Sequence, residues 1–174
     1  MEKIIDEKLV YSGRVFDVYS NKVLSGEMRE CYRDVVVHNG GVGIIPVDNE
    51  GNVYLVKQYR SGAEGFLTEI PAGKLEPGED HSVCAVRELS EETGFTADNL
   101  KYLGFMYPTP AYNPEKIHIY LATGLNAGEA HPDDGEILEL IKIPLEQAVK
   151  MSEDGTITDA KTIIALLRAE RELK

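Results

Sequence analysis

The sequence predicts a layered α/β (α+β) domain, an α/β/α sandwich around a mixed sheet, with a small N-terminal antiparallel β segment. Three observations lead there. Short runs rich in β-branched and aromatic residues recur from residue 8 to residue 143. A helix-period segment with start and stop signals interrupts them after Asp80. Two further helix-period segments close the chain. Strands interleaved with a few helices are the pattern of stacked layers around one core.

Taken in order, residues 8–37 read as short strands, with 14–18 and 32–37 the richest in strand formers. Asn39-Gly40-Gly41 breaks that pattern, which divides the chain into an N-terminal strand region, 1–40, and a main domain, 41–174. Strands are expected at 42–47 and 53–59, joined by the turn Asp48-Asn49-Glu50-Gly51, and at 66–70, closed by Pro71. A loop follows from Gly73 to Gly78 with Pro77 inside it. Asp80 supplies a helix N-cap, the helix runs to about Thr93, and Gly94 supplies the stop. Segments 100–107 and 116–123 read as strands around a loop holding Pro108, Pro110 and Pro114. After the acidic stretch Asp133-Asp134-Gly135-Glu136 comes a last strand at 138–143, then helices at 145–152 and from Ala160 to about Glu172.

Composition narrows the function classes. A formal net charge of -12 speaks against DNA or RNA binding, because phosphate backbones attract basic surfaces. That acidity serves solubility, or it gathers carboxylates that hold divalent cations. Cys31 and Cys84 form no CxxC pair, so neither a zinc site nor a disulfide scaffold is expected and a reducing compartment is the default. The N-terminus lacks an apolar signal segment and no run reaches membrane-spanning length, so a cytoplasmic protein without a membrane partner is expected.

The helix after Asp80 carries the chemistry. On a wheel of 3.6 residues per turn, Ala85, Val86, Leu89 and Thr93 are placed on one side. Glu88, Glu91 and Glu92 are placed opposite, at spacings i, i+3 and i+4. Three neighbouring carboxylates repel, at about a few tenths of a kcal/mol per exposed pair, so something must offset them. Arg87 is one partner, four residues before Glu91. Divalent cations are the other, since magnesium takes carboxylate oxygens and keeps room for substrate phosphates. A bare ExxEE also fits a solvated acidic face, and the surrounding spacing decides between the two.

From Gly73 to Phe95 the sequence reads GKLEPGEDHSVCAVRELSEETGF. This resembles the Nudix box at every specified position: Gly, five residues, Glu, seven residues, Arg-Glu, an aliphatic, one residue, Glu-Glu, one residue, Gly and an apolar residue. Segments 41–46, 54–60 and 69–73, Pro110 beyond the box, and the tail 155–162 are similar to the ADP-ribose pyrophosphatase branch of that family.

The resemblance implies the Nudix fold and magnesium-dependent hydrolysis of a nucleoside diphosphate sugar, ADP-ribose first, with manganese as an alternative ion. It implies that Glu88 and Glu92 ligate the metal, that Glu91 assists directly or through water, and that the carbonyl of Ala72 joins them. Arg87 would orient the glutamates, and Glu79 would belong to the outer network. Arg60, Glu69, Gly73 and Pro110 are implied on the substrate side, together with Arg33 contributed by a partner subunit, since the N-terminal strands of this branch pair across a homodimer. The general base stays open. Glu136 fits best, as base or extra metal ligand, while Asp134 stands where a longer carboxylate is usual and Glu115 is the rival. His38 and His118 receive no role. The other readings are a pyrophosphatase for GDP-mannose or a dinucleotide, and a non-catalytic ADP-ribose sensor.

Overall fold

The computed structural model describes residues 2–26, 29–132 and 137–174. The chain divides into two compact units, Met1–Gly40 with Tyr107–Lys116, and Gly41–Met106 with Ile117–Lys174.

The first unit is built on an antiparallel sheet in the order β1 (Lys3–Ser12), β2 (Asp17–Leu24) and β3 (Glu30–Val37). The strand expected at 14–18 is displaced. Gly13 donates its N–H to the Phe16 carbonyl at 3.1 Å, a turn that uses up those residues before β2 begins. Every residue of β1 is exposed, including Ile4, Leu9, Val10 and Tyr11. The proline loop joins this unit, with Val36 N–H donating to the Tyr112 carbonyl at 2.8 Å.

The second unit holds two sheets. One is antiparallel, in the order β10 (Glu139–Pro144), β5 (Asn52–Arg60), β6 (Gly65–Glu69). The other is mixed, in the order β7 (Ala72–Lys74), β4 (Gly41–Pro46), β9 (Ile117–Ala127), β8 (Phe95–Met106), with β4 and β9 parallel. All six residues of β4 are buried, because the strand is covered on both faces. Val42 and Ile44 pack with Cys84, Ala85 and Leu89 of α1 (His81–Thr93). Ile45 packs with Leu121 and with Leu145, Ala165 and Leu166 of α2 (Leu145–Glu153) and α3 (Ala160–Leu173). Helices on opposite faces of a mixed sheet are the layering the sequence predicts.

Three expectations need correction. Residues 72–74 form an edge strand where a loop was expected at Gly73, because Gly43 and Val42 offer ladder partners to Ala72 and Gly73. Strand β8 starts at Phe95, directly after the helix stop, and its half-exposed alternation with polar Thr96 and Asp98 conceals the period in sequence. On α1, Val86 is exposed and Glu92 is buried at 7%, the reverse of their expected sides. Seven residues are close to two full turns, so Glu92 returns to the line of Ala85, while Val86 is swung about 100° away.

Thr162 ties α3 to the segment ahead of the box. Its hydroxyl, fully buried, accepts the Ile70 N–H at 2.8 Å and donates to Asp159 at 2.6 Å. Thr162→Val keeps the shape and leaves a buried N–H unpaired, which costs about 1–3 kcal/mol. The expected result is a lower midpoint in urea with an unchanged slope; an unchanged midpoint would show that this bond contributes nothing.

Candidate active site

Local chemistry sets the box in place. Asp80 caps α1 by accepting the Ser82 N–H at 2.8 Å, and Gly94 ends it at a φ of 71°. The loop before α1 closes on itself: Glu76 N–H donates to the Glu79 carboxylate at 2.9 Å, and Glu79 N–H to the Glu76 carbonyl at 3.0 Å. Glu79 is thereby aimed at α1.

Arg87 is the hub. Its guanidinium donates to Glu79 at 3.1 Å, to Glu88 at 2.7 Å and to Glu91 at 2.9 Å, and reaches the Lys74 carbonyl at 3.3 Å. The Glu79 bond, ahead of the Glu88 bond, raises Arg87 above its ordinary value. The same guanidinium, with the Glu76 N–H, holds Glu79 down to about 2. Cys84 lies beneath, its sulfur 3.3 Å from Arg87, and burial pushes its thiol up to about 12, so it stays neutral. Mutual repulsion among the glutamates is thus offset by one shared cation.

Glu92 is held separately. Its carboxylate accepts the Ala72 N–H at 3.0 Å. Gly73 completes the arrangement: a Cβ there would lie 1.8 Å from the Glu88 carboxyl carbon, so the carboxylate fills the space a side chain would take. Glu88 and Glu92 therefore lie against the backbone of Ala72 and Gly73, with Glu91 held on Arg87, and their carboxylate oxygens are hard donors of the kind magnesium prefers. Among the described residues no three His, Cys, Asp or Glu side chains already converge as a metal cage. Arg87 draws Glu88 and Glu91 onto its own nitrogens, and a cation would compete with it for their oxygens.

A second group adjoins through the segment 69–72. Arg60, at the end of β5, donates from Nε and Nη2 to the two oxygens of Glu69, both at 2.8 Å. Glu69 is 1% exposed and is also bonded by the Lys161 ammonium of α3, which pairs with Asp159 at 3.0 Å. Burial would raise the Glu69 carboxyl, but the Arg60 bond and the Lys161 charge more than offset it and hold it below its ordinary value. Glu69 in turn raises Arg60, and the charge of Glu92 adds to that.

The remaining candidates belong to other elements of the chain. Arg33 lies on β3, bonded to Glu2 at 3.2 Å and to the Tyr32 carbonyl at 3.0 Å. Pro110 and Glu115 belong to the first unit; Glu115 accepts the Asn113 side-chain amide at 3.2 Å and faces His38 at 3.0 Å. His118 stacks on His81 at 4.0 Å. Glu136 and Asp134 lie outside the described residues. Sequence reasoning missed Lys161, Asp159 and Cys84. For the first two the available signal was the tail similarity, which named a segment without giving any residue in it a task.

A family model described as the NUDIX domain matches residues 37–166. The chain belongs to the Nudix hydrolase family. An ADP-ribose pyrophosphatase of Bacillus subtilis (strain 168) is 38% identical to it over 95% of this chain and 90% of the relative. A methanol dehydrogenase activator of Bacillus methanolicus is 38% identical over 99% and 96%. A crystal structure of an ADP compounds hydrolase superposes with a TM-score of 0.86 at 25% identity, covering 99% of this chain and 94% of that one. Among the described residues, no helix of this Nudix hydrolase is long and apolar enough to cross a membrane.

Proposed function

We propose that this Nudix hydrolase cleaves the diphosphate bridge of ADP-ribose, with magnesium, to AMP and ribose 5-phosphate. One water is added across the P–O–P linkage: its oxygen joins one phosphorus, the bridging oxygen leaves with the other, and two protons are released as the two new phosphate monoesters ionise. The observation that carries this reading is the convergence of Glu88 and Glu92 on the Ala72–Gly73 backbone, with Arg87 beside them. The substrate follows from the ADP-ribose pyrophosphatase of Bacillus subtilis, aligned along nearly the whole chain.

Glu88, Glu92 and the Ala72 carbonyl would hold the metal, and Glu91 would hold it directly or through water. When bound, the cation neutralises the diphosphate, lowers the pKa of a coordinated water and stabilises the departing oxygen. Arg87 holds Glu88 and Glu91 side by side, and the Ala72 N–H holds Glu92. Arg60 faces the phosphates or the terminal ribose. Glu136 takes the proton from the attacking water; the Asn113 and His38 contacts that already engage Glu115 favour Glu136 over it.

The N-terminal strands form the homodimer contact, with Arg33 reaching the partner's site. Support comes from the edge strand β1, whose apolar residues Ile4, Leu9, Val10 and Tyr11 are exposed among the described residues. Sedimentation should give a dimer mass, and a monomer after removal of residues 1–40; a monomeric intact protein would overturn the contact.

Base and sugar are selected outside the diphosphate site, so GDP-mannose or a dinucleotide is the competing substrate class. The deciding experiment is a product assay in magnesium on ADP-ribose, GDP-mannose, UDP-glucose, NADH and diadenosine polyphosphates. The highest kcat/KM for ADP-ribose supports the proposal, and a faster competitor replaces the substrate while leaving the chemistry in place.

A further inference from the structure

Two cations share one buried carboxylate beside the diphosphate site, and only one of them points outward. Glu69 is 1% exposed, at the end of β6, and both of its oxygens are taken by the Arg60 fork. The Lys161 ammonium approaches the same carboxylate from α3, with its side chain 12% exposed. Asp159 holds Lys161 at 3.0 Å and also caps α3 by accepting the Thr162 N–H at 2.9 Å. Arg60 is partly open, its side chain 40% exposed. Arg60, Lys161, Glu69 and Asp159 together are electrically balanced.

From this geometry we infer that Lys161 is a positioning residue that acts through Glu69 on Arg60, keeping the Arg60 guanidinium both aimed and electrically available for the substrate's anionic groups. This rests on the proposed reading of Arg60 as a substrate contact. The physical reason is charge partition. While Lys161 shares Glu69, the carboxylate does not fully neutralise Arg60, and positive potential is left facing out of the site. Without Lys161 the four-group cluster becomes a three-group cluster with one net negative charge, next to where a diphosphate must bind. Arg60 is then the sole counter-ion of a buried carboxylate and is drawn down onto it. Substrate and transition state carry the same anionic groups at this position, so the loss falls on KM and largely spares kcat.

The test replaces Lys161 by Gln, which can still donate a hydrogen bond to Glu69 but brings no charge, and by Arg, which keeps the charge. For hydrolysis of ADP-ribose in magnesium, Lys161→Gln should raise KM about tenfold with kcat within about threefold of the unaltered protein, and Lys161→Arg should return KM to within about threefold. An unchanged KM, or a fall in kcat at constant KM, would overturn the inference. So would a rise in KM that Lys161→Arg fails to repair. Should Lys161→Gln fail to fold, Lys161→Met is compared in its place, and failure of both to fold would make Lys161 a structural residue and overturn its positioning role. The unaltered protein is assayed first. If it cleaves none of the panel compounds, the function reading fails, a result distinct from a functional enzyme whose KM ignores Lys161.

Discussion

Glu92→Gln is expected to lower kcat for ADP-ribose by about a thousandfold while leaving the fold intact. Glu92 is buried at 7% and accepts the Ala72 N–H at 3.0 Å. A glutamine carbonyl can accept the same N–H, so the tie between α1 and β7 survives. What disappears is a negative charge on a helix that carries three glutamates at neighbouring positions, and its removal relieves repulsion. Thermal stability should therefore hold or rise, and the magnesium concentration needed for half-maximal rate should increase. Steady-state rates across a magnesium titration, beside a melting curve, make the check. Near-normal kcat in the variant would show that Glu92 only packs against the strand edge.

The second large effect is at Gly73. A Cβ there would lie 1.8 Å from the Glu88 carboxyl carbon and 1.8 Å from one of its oxygens. The obstructing atoms are the end of a flexible side chain, so Gly73→Ala does not force the backbone apart. The fold tolerates the change by moving Glu88, and Glu88 cannot then occupy its place beside the backbone. Activity should fall by at least about a hundredfold with little loss of stability. If stability collapses instead, the strand edge is rigidly packed and Gly73 is structural; if activity persists, Glu88 works from a different position.

Several parts of this site are legible in sequence because local rules determine them. The cap at Asp80, the stop at Gly94 and the spacing from Gly73 to Phe95 depend on near neighbours, and α1 appears within a residue of its expected limits. Arg87 and Glu91 meet because four residues make one turn of helix. Expectation and structure part where partners are distant in sequence or where about 100° of helical rotation separates adjacent residues. Placing Val86 in the core and Glu92 outside it mistakes neighbouring positions for a shared face. The strand at 72–74 exists because β4 lies alongside, which no local signal announces. Lys161 is in the same position, since it meets Glu69 across 92 residues of chain. Its sequence setting, an ordinary first turn of an amphipathic helix, gives no hint of a buried carboxylate. Arg60 reads as a substrate ligand by resemblance, and only the fold reveals that Glu69 grips it from below.

The most direct test of the central claim follows AMP release from ADP-ribose by the unaltered protein with magnesium, then with excess chelator, then with magnesium restored. Release should stop with the chelator and return with the metal, with ribose 5-phosphate formed in equal amount. AMP release that continues undiminished in chelator, or a protein that binds ADP-ribose in magnesium and never cleaves it, would contradict that claim.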